Sequence, residues 1–91
     1  MGIGVGIMEG ASAMDVEVAA IVDARGLACP LPVIRAKKGL NGVAVGSVIQ
    51  VLATDPGAMA DFQAWTRSTG HDLVQADQEQ DRFTFLIRRT H

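Results

Sequence analysis

The chain has 91 residues, 48% of them hydrophobic and 20% charged, with a formal net charge of −2 and one cysteine. That length suits one compact domain and argues against a second, the composition argues against general disorder, and the charge gives no broad drive toward nucleic acid or an anionic membrane. A lone cysteine excludes the intramolecular disulfide framework of small secreted domains, so a cytoplasmic, reducing setting is expected.

Residues 1–14, MGIGVGIMEGASAM, are apolar and glycine-rich, lack the basic start of a signal peptide and are too short to span a bilayer. They read as a flexible tail, with Met8 and Met14 as alternative starts, ahead of a single domain over residues 15–91. Val16, Val18, Ala20 and Val22 alternate with Glu17, Ala19, Ile21 and Asp23, the period of a first strand with a buried face. The segment Asp23-Ala-Arg-Gly-Leu-Ala-Cys-Pro-Leu-Pro32 then breaks the pattern with a glycine and two prolines.

Proline disfavours the α region for the residue before it, so Cys29 and Leu31 are expected to be extended and a helix to begin at Pro32. Val33, Ala36 and Leu40 recur at helical spacing, Arg35 and Lys38 point elsewhere, and Lys37 sits at the boundary; Gly42 or Gly46 ends the helix region. Ser47–Ala53 is almost continuously aliphatic, which predicts a central strand buried on both faces. Asp55-Pro56 predicts a second helix with Asp55 as its cap and Pro56 at its first helical position, running to about Thr69 before Gly70. Ala58, Met59, Phe62, Trp65, Thr66 and Thr69 share its inner face, and Asp61, Gln63, Arg67 and Ser68 fall on the other. His71–Gln78 and Arg82–Arg89, joined by a polar turn, read as a hairpin. The order β-α-β-α-β-β predicts an α/β (α+β) two-layer sandwich: a four-stranded mixed sheet with two helices on one face.

Cys29 is the candidate reactive residue. In isolation a single cysteine is more often a buried hydrophobe. Flanking prolines suit one displayed on a stiff turn ahead of a helix N-terminus, where free N–H groups and the helix dipole favour a sulfur anion. Nearby cations lower a thiol pKa in the same way, and Arg25, Arg35, Lys37 and Lys38 are the candidates, the two lysines chiefly for docking a partner. Neither His71 nor His91 forms a Cys/His catalytic pattern, and with Cys29 they supply fewer ligands than a structural zinc site uses; neither metal nor cofactor is expected.

The segment from Asp23 to Pro32 resembles the Cys-Pro-x-Pro signature of the TusA/SirA sulfur-carrier family. The likeness continues through the basic first helix, Gly46, Asp55-Pro56 and the ending Phe85-Leu-Ile-Arg88, covering about residues 16 to 90. It implies that Cys29 accepts sulfane sulfur as a persulfide and relays it for tRNA thiolation, cofactor sulfuration or sulfur oxidation. Gly26 and Leu27 lead into the turn, and Pro30 and Pro32 shape it. The implied partners are a donor, a cysteine desulfurase or rhodanese, and an acceptor such as a DsrE/TusD-like protein. A monomer without membrane or nucleic-acid contacts is expected, a sulfurtransferase-type carrier rather than a stand-alone enzyme.

Two other readings compete. A thiol oxidoreductase or peroxide sensor also uses an exposed reactive cysteine, but this chain lacks a resolving partner for Cys29. A small RNA-binding or regulatory module would use Arg35, Lys37, Lys38, Arg88 and Arg89, against an acidic net charge and no tyrosine.

Overall fold

The computed structural model describes residues 17–91; the expected tail over 1–14, and Val16 of the first expected strand, lie outside them. Six elements follow in chain order: β1 (Val18–Ala24), α1 (Leu31–Asn41), β2 (Val48–Ala53), α2 (Ala58–Thr69), β3 (Asp72–Glu79) and β4 (Arg82–Arg88). They form a four-stranded sheet in the order β1-β2-β4-β3, with β1 and β2 parallel and the other pairs antiparallel. This is the mixed-sheet sandwich that the element order predicts.

Both helices pack on one sheet face. Ala36 and Leu40 of α1 and Ala58 and Phe62 of α2 join Ile49, Val51 and Ala53 of β2 and Phe83, Phe85 and Ile87 of β4 in one buried cluster. Phe62 is fully buried and stacks on Phe85 at 4.4 Å between ring centroids, and Trp65 meets its edge at 6.1 Å. Burying such a ring contributes about 1.5–3 kcal/mol.

The opposite face is uncovered, which corrects the expectation for β2: Gln50 and Leu52 are only half-buried. A continuous apolar run reads as buried on both sides, but two helices suffice for only one. Ile21 on the same open face is 66% exposed.

Two helix starts also differ. α1 begins at Leu31 rather than Pro32. The bonds from Leu31 N–H to the Ala28 carbonyl (2.9 Å) and from Ile34 N–H to the Pro30 carbonyl (3.2 Å) outweigh the preference of a pre-proline residue for extended geometry. Pro32 sits in the first turn, where the missing N–H costs nothing. α2 begins two residues beyond Pro56, because Asp55 instead closes a turn: its carboxylate accepts from Gly57 N–H (3.0 Å) and its carbonyl from Ala58 N–H (3.0 Å). Of the two glycines expected to end α1, Gly42 does so, while Gly46 lies in the turn that enters β2.

Arg89 fastens the far end of the fold. Its guanidinium donates to the carbonyls of Val43 (2.6 Å), Leu40 (3.4 Å) and Asn41 (3.5 Å), tying together the carbonyls around the end of α1. Nearby, His71 accepts from Thr90 N–H at 3.2 Å and stacks on His91. Burial, and then electrostatic repulsion from His91 and Arg89, push the His71 pKa down.

Candidate functional site

Ala24 of β1 pairs with Ala53 of β2, and because these strands are parallel, the loops leaving them emerge side by side. The first loop runs from Arg25 to Pro30 and the second from Thr54 to Gly57. Gly26, at φ 81, turns the chain in a conformation that disfavours a side chain, and donates its N–H to Thr54 Oγ1 at 2.9 Å. Leu27 packs against the core and anchors the loop from beneath.

Beyond that anchor, Ala28 and Leu31 close a turn whose centre is Cys29 and Pro30, with the Cys29–Pro30 peptide cis. Cys29 is therefore at a turn tip rather than in the extended segment expected. Its thiol is exposed and stands directly before Pro30, the N-cap of α1. Neither the depression on the open sheet face nor the one between the helix C-termini is lined by Cys29. The sulfur stands on the surface, where another protein's active site can enclose it.

The electrostatics differ from the expectation. The Cys29 pKa is raised, first by a hydrogen bond to the Asp61 carboxylate, then by desolvation and by the charges of Asp61 and Asp55. The expected cations are occupied or directed elsewhere. Arg25 forms a two-point ion pair with Asp23, Nε and Nη2 each 2.8 Å from a carboxylate oxygen, and holds the Asp23 pKa down to about 2, with a further contribution from Arg35. Lys37 lines the depression beside Trp65 and Arg89, at the opposite end of α1 from the cysteine. Arg35 and Lys38 are exposed on α1.

Sequence reasoning missed three neighbours of this turn. Asp61, assigned to the outer face of α2, is half-buried, and its carboxylate raises the Cys29 pKa. Its signal was topological: parallel pairing of β1 and β2 brings both helix N-termini to one end of the sheet. Leu31 and Ile34 are 46% and 44% exposed and, with Arg35 and Lys38, form a stripe at i, i+3, i+4 and i+7 along α1. Their positions opposite buried Ala36 and Leu40 on the helical wheel carried that signal.

Among the described residues no group of three or more His, Cys, Asp or Glu is placed to hold a metal ion, and no helix is long and apolar enough to cross a membrane. The fold and site define a small two-layer α/β domain that displays one thiol at a strand-to-helix turn. Comparison with known proteins gives that class its family. The model of the sulfurtransferase TusA family matches residues 20–89, and the chain belongs to that family. It is 48% identical over 69 residues to the sulfur carrier protein TusA of Allochromatium vinosum, covering 76% of this chain and 91% of that protein. The crystal structure of a SirA-like protein from Desulfitobacterium hafniense superposes with a TM-score of 0.67 at 27% identity, covering 79% of this chain and 99% of that one.

Proposed function

We propose that this protein is a cytoplasmic sulfur carrier in which Cys29 accepts sulfane sulfur from a donor persulfide and relays it to an acceptor protein. The observation that carries the reading is the exposed Cys29 at the centre of the turn before α1, in a chain whose relative is called a sulfur carrier protein. In the loading step the Cys29 sulfur attacks the outer sulfur of the donor's persulfide. The donor's S–S bond breaks with its electron pair on the donor's inner sulfur, and a new S–S bond forms at Cys29. The proton lost by Cys29 ends on the departing donor thiol, so no external oxidant or reductant is consumed. Delivery repeats the exchange, with the acceptor's thiolate attacking the outer sulfur on Cys29.

The stripe on α1 suits docking. Leu31 and Ile34 lie next to the turn and offer apolar contact around the sulfur, while Arg35 and Lys38 lie further along and favour an acidic rim on the partner. A cysteine desulfurase or rhodanese is the donor and a DsrE/TusD-like protein an acceptor in this reading, with the carrier acting as a monomer. The raised Cys29 pKa works against the peroxide-sensor alternative, since peroxide reacts with thiolate.

Intact-mass measurement after incubation with a cysteine desulfurase plus cysteine, or a rhodanese plus thiosulfate, tests the proposal. A one-sulfur adduct is expected on the wild type, removable by reductant and absent from Cys29→Ser. No adduct from either donor class would reject the carrier reading. Because Cys29 is exposed, the serine variant should keep wild-type stability to within about 0.5 kcal/mol.

A further inference from the structure

Immediately after β4, Arg89 is pinned through its backbone: its N–H donates to the Ser47 carbonyl at 2.9 Å and its carbonyl accepts from Gly46 N–H at 2.7 Å. The next two residues, Thr90 and His91, cross to the end of α2 as a short strap. Thr90 donates its hydroxyl to the Gly70 carbonyl (3.0 Å) and its N–H to His71 Nδ1 (3.2 Å). His91 donates from Nε2 to the Thr69 carbonyl (2.9 Å), and its own carbonyl accepts from Arg89 Nε (2.9 Å). The two imidazoles stack at 4.5 Å between ring centroids with 11° between their planes, and Trp65 stands 5.9 Å from His71. With Lys37 and Leu40 of α1 these groups line a groove of about 440 Å³.

The two histidines differ in what a proton does to them. A backbone N–H can only donate, so His71 Nδ1 must be an unprotonated acceptor. A carbonyl can only accept, so His91 Nε2 carries a hydrogen, and its bond to Thr69 persists whether the ring is neutral or charged. A proton on His71 Nδ1 therefore sets two donors against each other. The Thr90 hydroxyl, 3.4 Å from that nitrogen, offers it only a longer contact than the amide it displaces. Charge acts in the same direction. Arg89 and His91, on the strap side, oppose a positive His71 ring, and Lys37 adds a cation to the groove wall. The one opposing carboxylate is Asp72 beside it, which Arg88 of β4 pairs at 3.8 Å, and α2 contributes only the uncharged Trp65 and Thr69.

We propose that His71 is a proton-operated latch: neutral, it fastens the Thr90–His91 strap across the groove between the ends of α1 and α2, and protonated, it releases the strap and opens that groove. The hinge is Arg89, whose backbone stays tied to Ser47 and Gly46, so release moves Thr90 and His91 and leaves the sheet intact. Opening uncovers Trp65 and Lys37. The inference goes beyond the sulfur chemistry of Cys29, which stands at the other end of α1 and takes no part in it.

The direction of the pH effect follows from the closed geometry. Burial, then repulsion from His91 and Arg89, lower the His71 pKa while the strap is closed, below the value of about 6.5 that the ring regains once it is open to water. The closed state keeps its full advantage above about 6.5 and loses it as pH falls through the lower, closed-state value. A two-residue strap can also fray for want of contacts. Fraying follows no proton, so the two accounts separate on pH dependence.

The experiment follows the full chain by NMR from about pH 8 to about pH 5, reading both histidine rings and the protection of the Thr90 amide from hydrogen exchange, corrected for its intrinsic rate. Fluorescence reads the groove, since Trp65 is the only tryptophan. In the wild type the His71 ring should titrate below about 6.5. Thr90 protection should fall by about tenfold per pH unit below that value, the slope of one linked proton, and Trp65 emission should change over the same range. His71→Asn keeps a side-chain acceptor without a titrating ring, so Thr90 should stay protected throughout. His71→Ala removes the acceptor, and Thr90 should be open at every pH. Wild-type protection that stays flat while the His71 ring takes up its proton would overturn the latch. So would a wild-type Thr90 amide already open at the top of the range, which is the result fraying predicts. A folded His71→Asn chain that loses protection with the wild-type pH profile would place the responsible proton elsewhere and overturn it as well.

Discussion

Gly39 offers a stringent test of how α1 sits on the sheet. It lies inside the helix, where an exposed Gly→Ala change gains about 1 kcal/mol of helix propensity. The packing reverses the sign, since a Cβ at Gly39 would stand only 2.5 Å from Val22 Cγ2 of β1, against an ordinary carbon contact of about 3.5–4.0 Å. Val22 is β-branched and stiff, and Ile49 Cδ1 at 3.9 Å limits movement on the other side. Overpacking of this kind costs about 1–3 kcal/mol, so Gly39→Ala should lose about 1 kcal/mol net once the propensity gain is subtracted. Urea denaturation followed by Trp65 fluorescence should show a lower midpoint at unchanged slope, and melting should fall by about 4–8 °C. Trimming the neighbour provides the control. In a Val22→Ala background, Gly39→Ala should recover its gain, giving a coupling of about 2 kcal/mol in the double-mutant cycle. A stabilised Gly39→Ala single variant, or two changes that simply add, would refute the close approach of helix and strand.

Two further tests address other parts of the fold. Arg89→Met keeps the apolar stem but strips three carbonyls near the end of α1 of their shared donor, which should cost about 1–2 kcal/mol. Amide exchange at Gly42 and Val43 should accelerate while Cys29 alkylation at the other end of α1 stays at the wild-type rate; unchanged exchange would show the cap to be dispensable. Asp23 has a folded-state pKa near 2, below its unfolded value, so its contribution to stability is present above the unfolded pKa and is lost as pH falls from about 4 through about 2. Arg25→Gln should move the Asp23 carboxyl titration, read by NMR, back toward the ordinary aspartate range. A titration that stays near 2 in that variant would show that Arg25 is not the cause.

Much of the architecture was legible because local chemistry enforces it. Alternation in Val18–Asp23 and Arg82–Arg88, helical spacing of Ala36 with Leu40 and of Ala58 with Phe62 and Thr66, and a polar Gln80-Asp81 turn mark elements whose period follows from backbone geometry alone. The errors fell where two local rules competed. Leu31 precedes a proline yet is helical because the turn from Ala28 supplies its hydrogen bond. Pro56 lies outside α2 because the Asp55 carboxylate bonds Gly57 and makes a turn before the helix.

The chain alone shows one cysteine followed by Pro30 and Pro32 ahead of a basic helix, a segment that resembles a sulfur-carrier motif. A covalent neighbourhood is enough for that, because proline constraints act on adjacent residues. Tertiary structure alone decided what the sulfur faces. Asp61 is 32 positions along the chain from Cys29 and reads from its own helix as an outward residue; only the parallel pairing of β1 with β2 brings the start of its helix to the same end of the sheet as the cysteine turn. The same packing draws Arg25 to Asp23 and Lys37 to the far groove, so the positive charge expected to activate Cys29 lies elsewhere, and Asp61 and Asp55 raise its pKa instead.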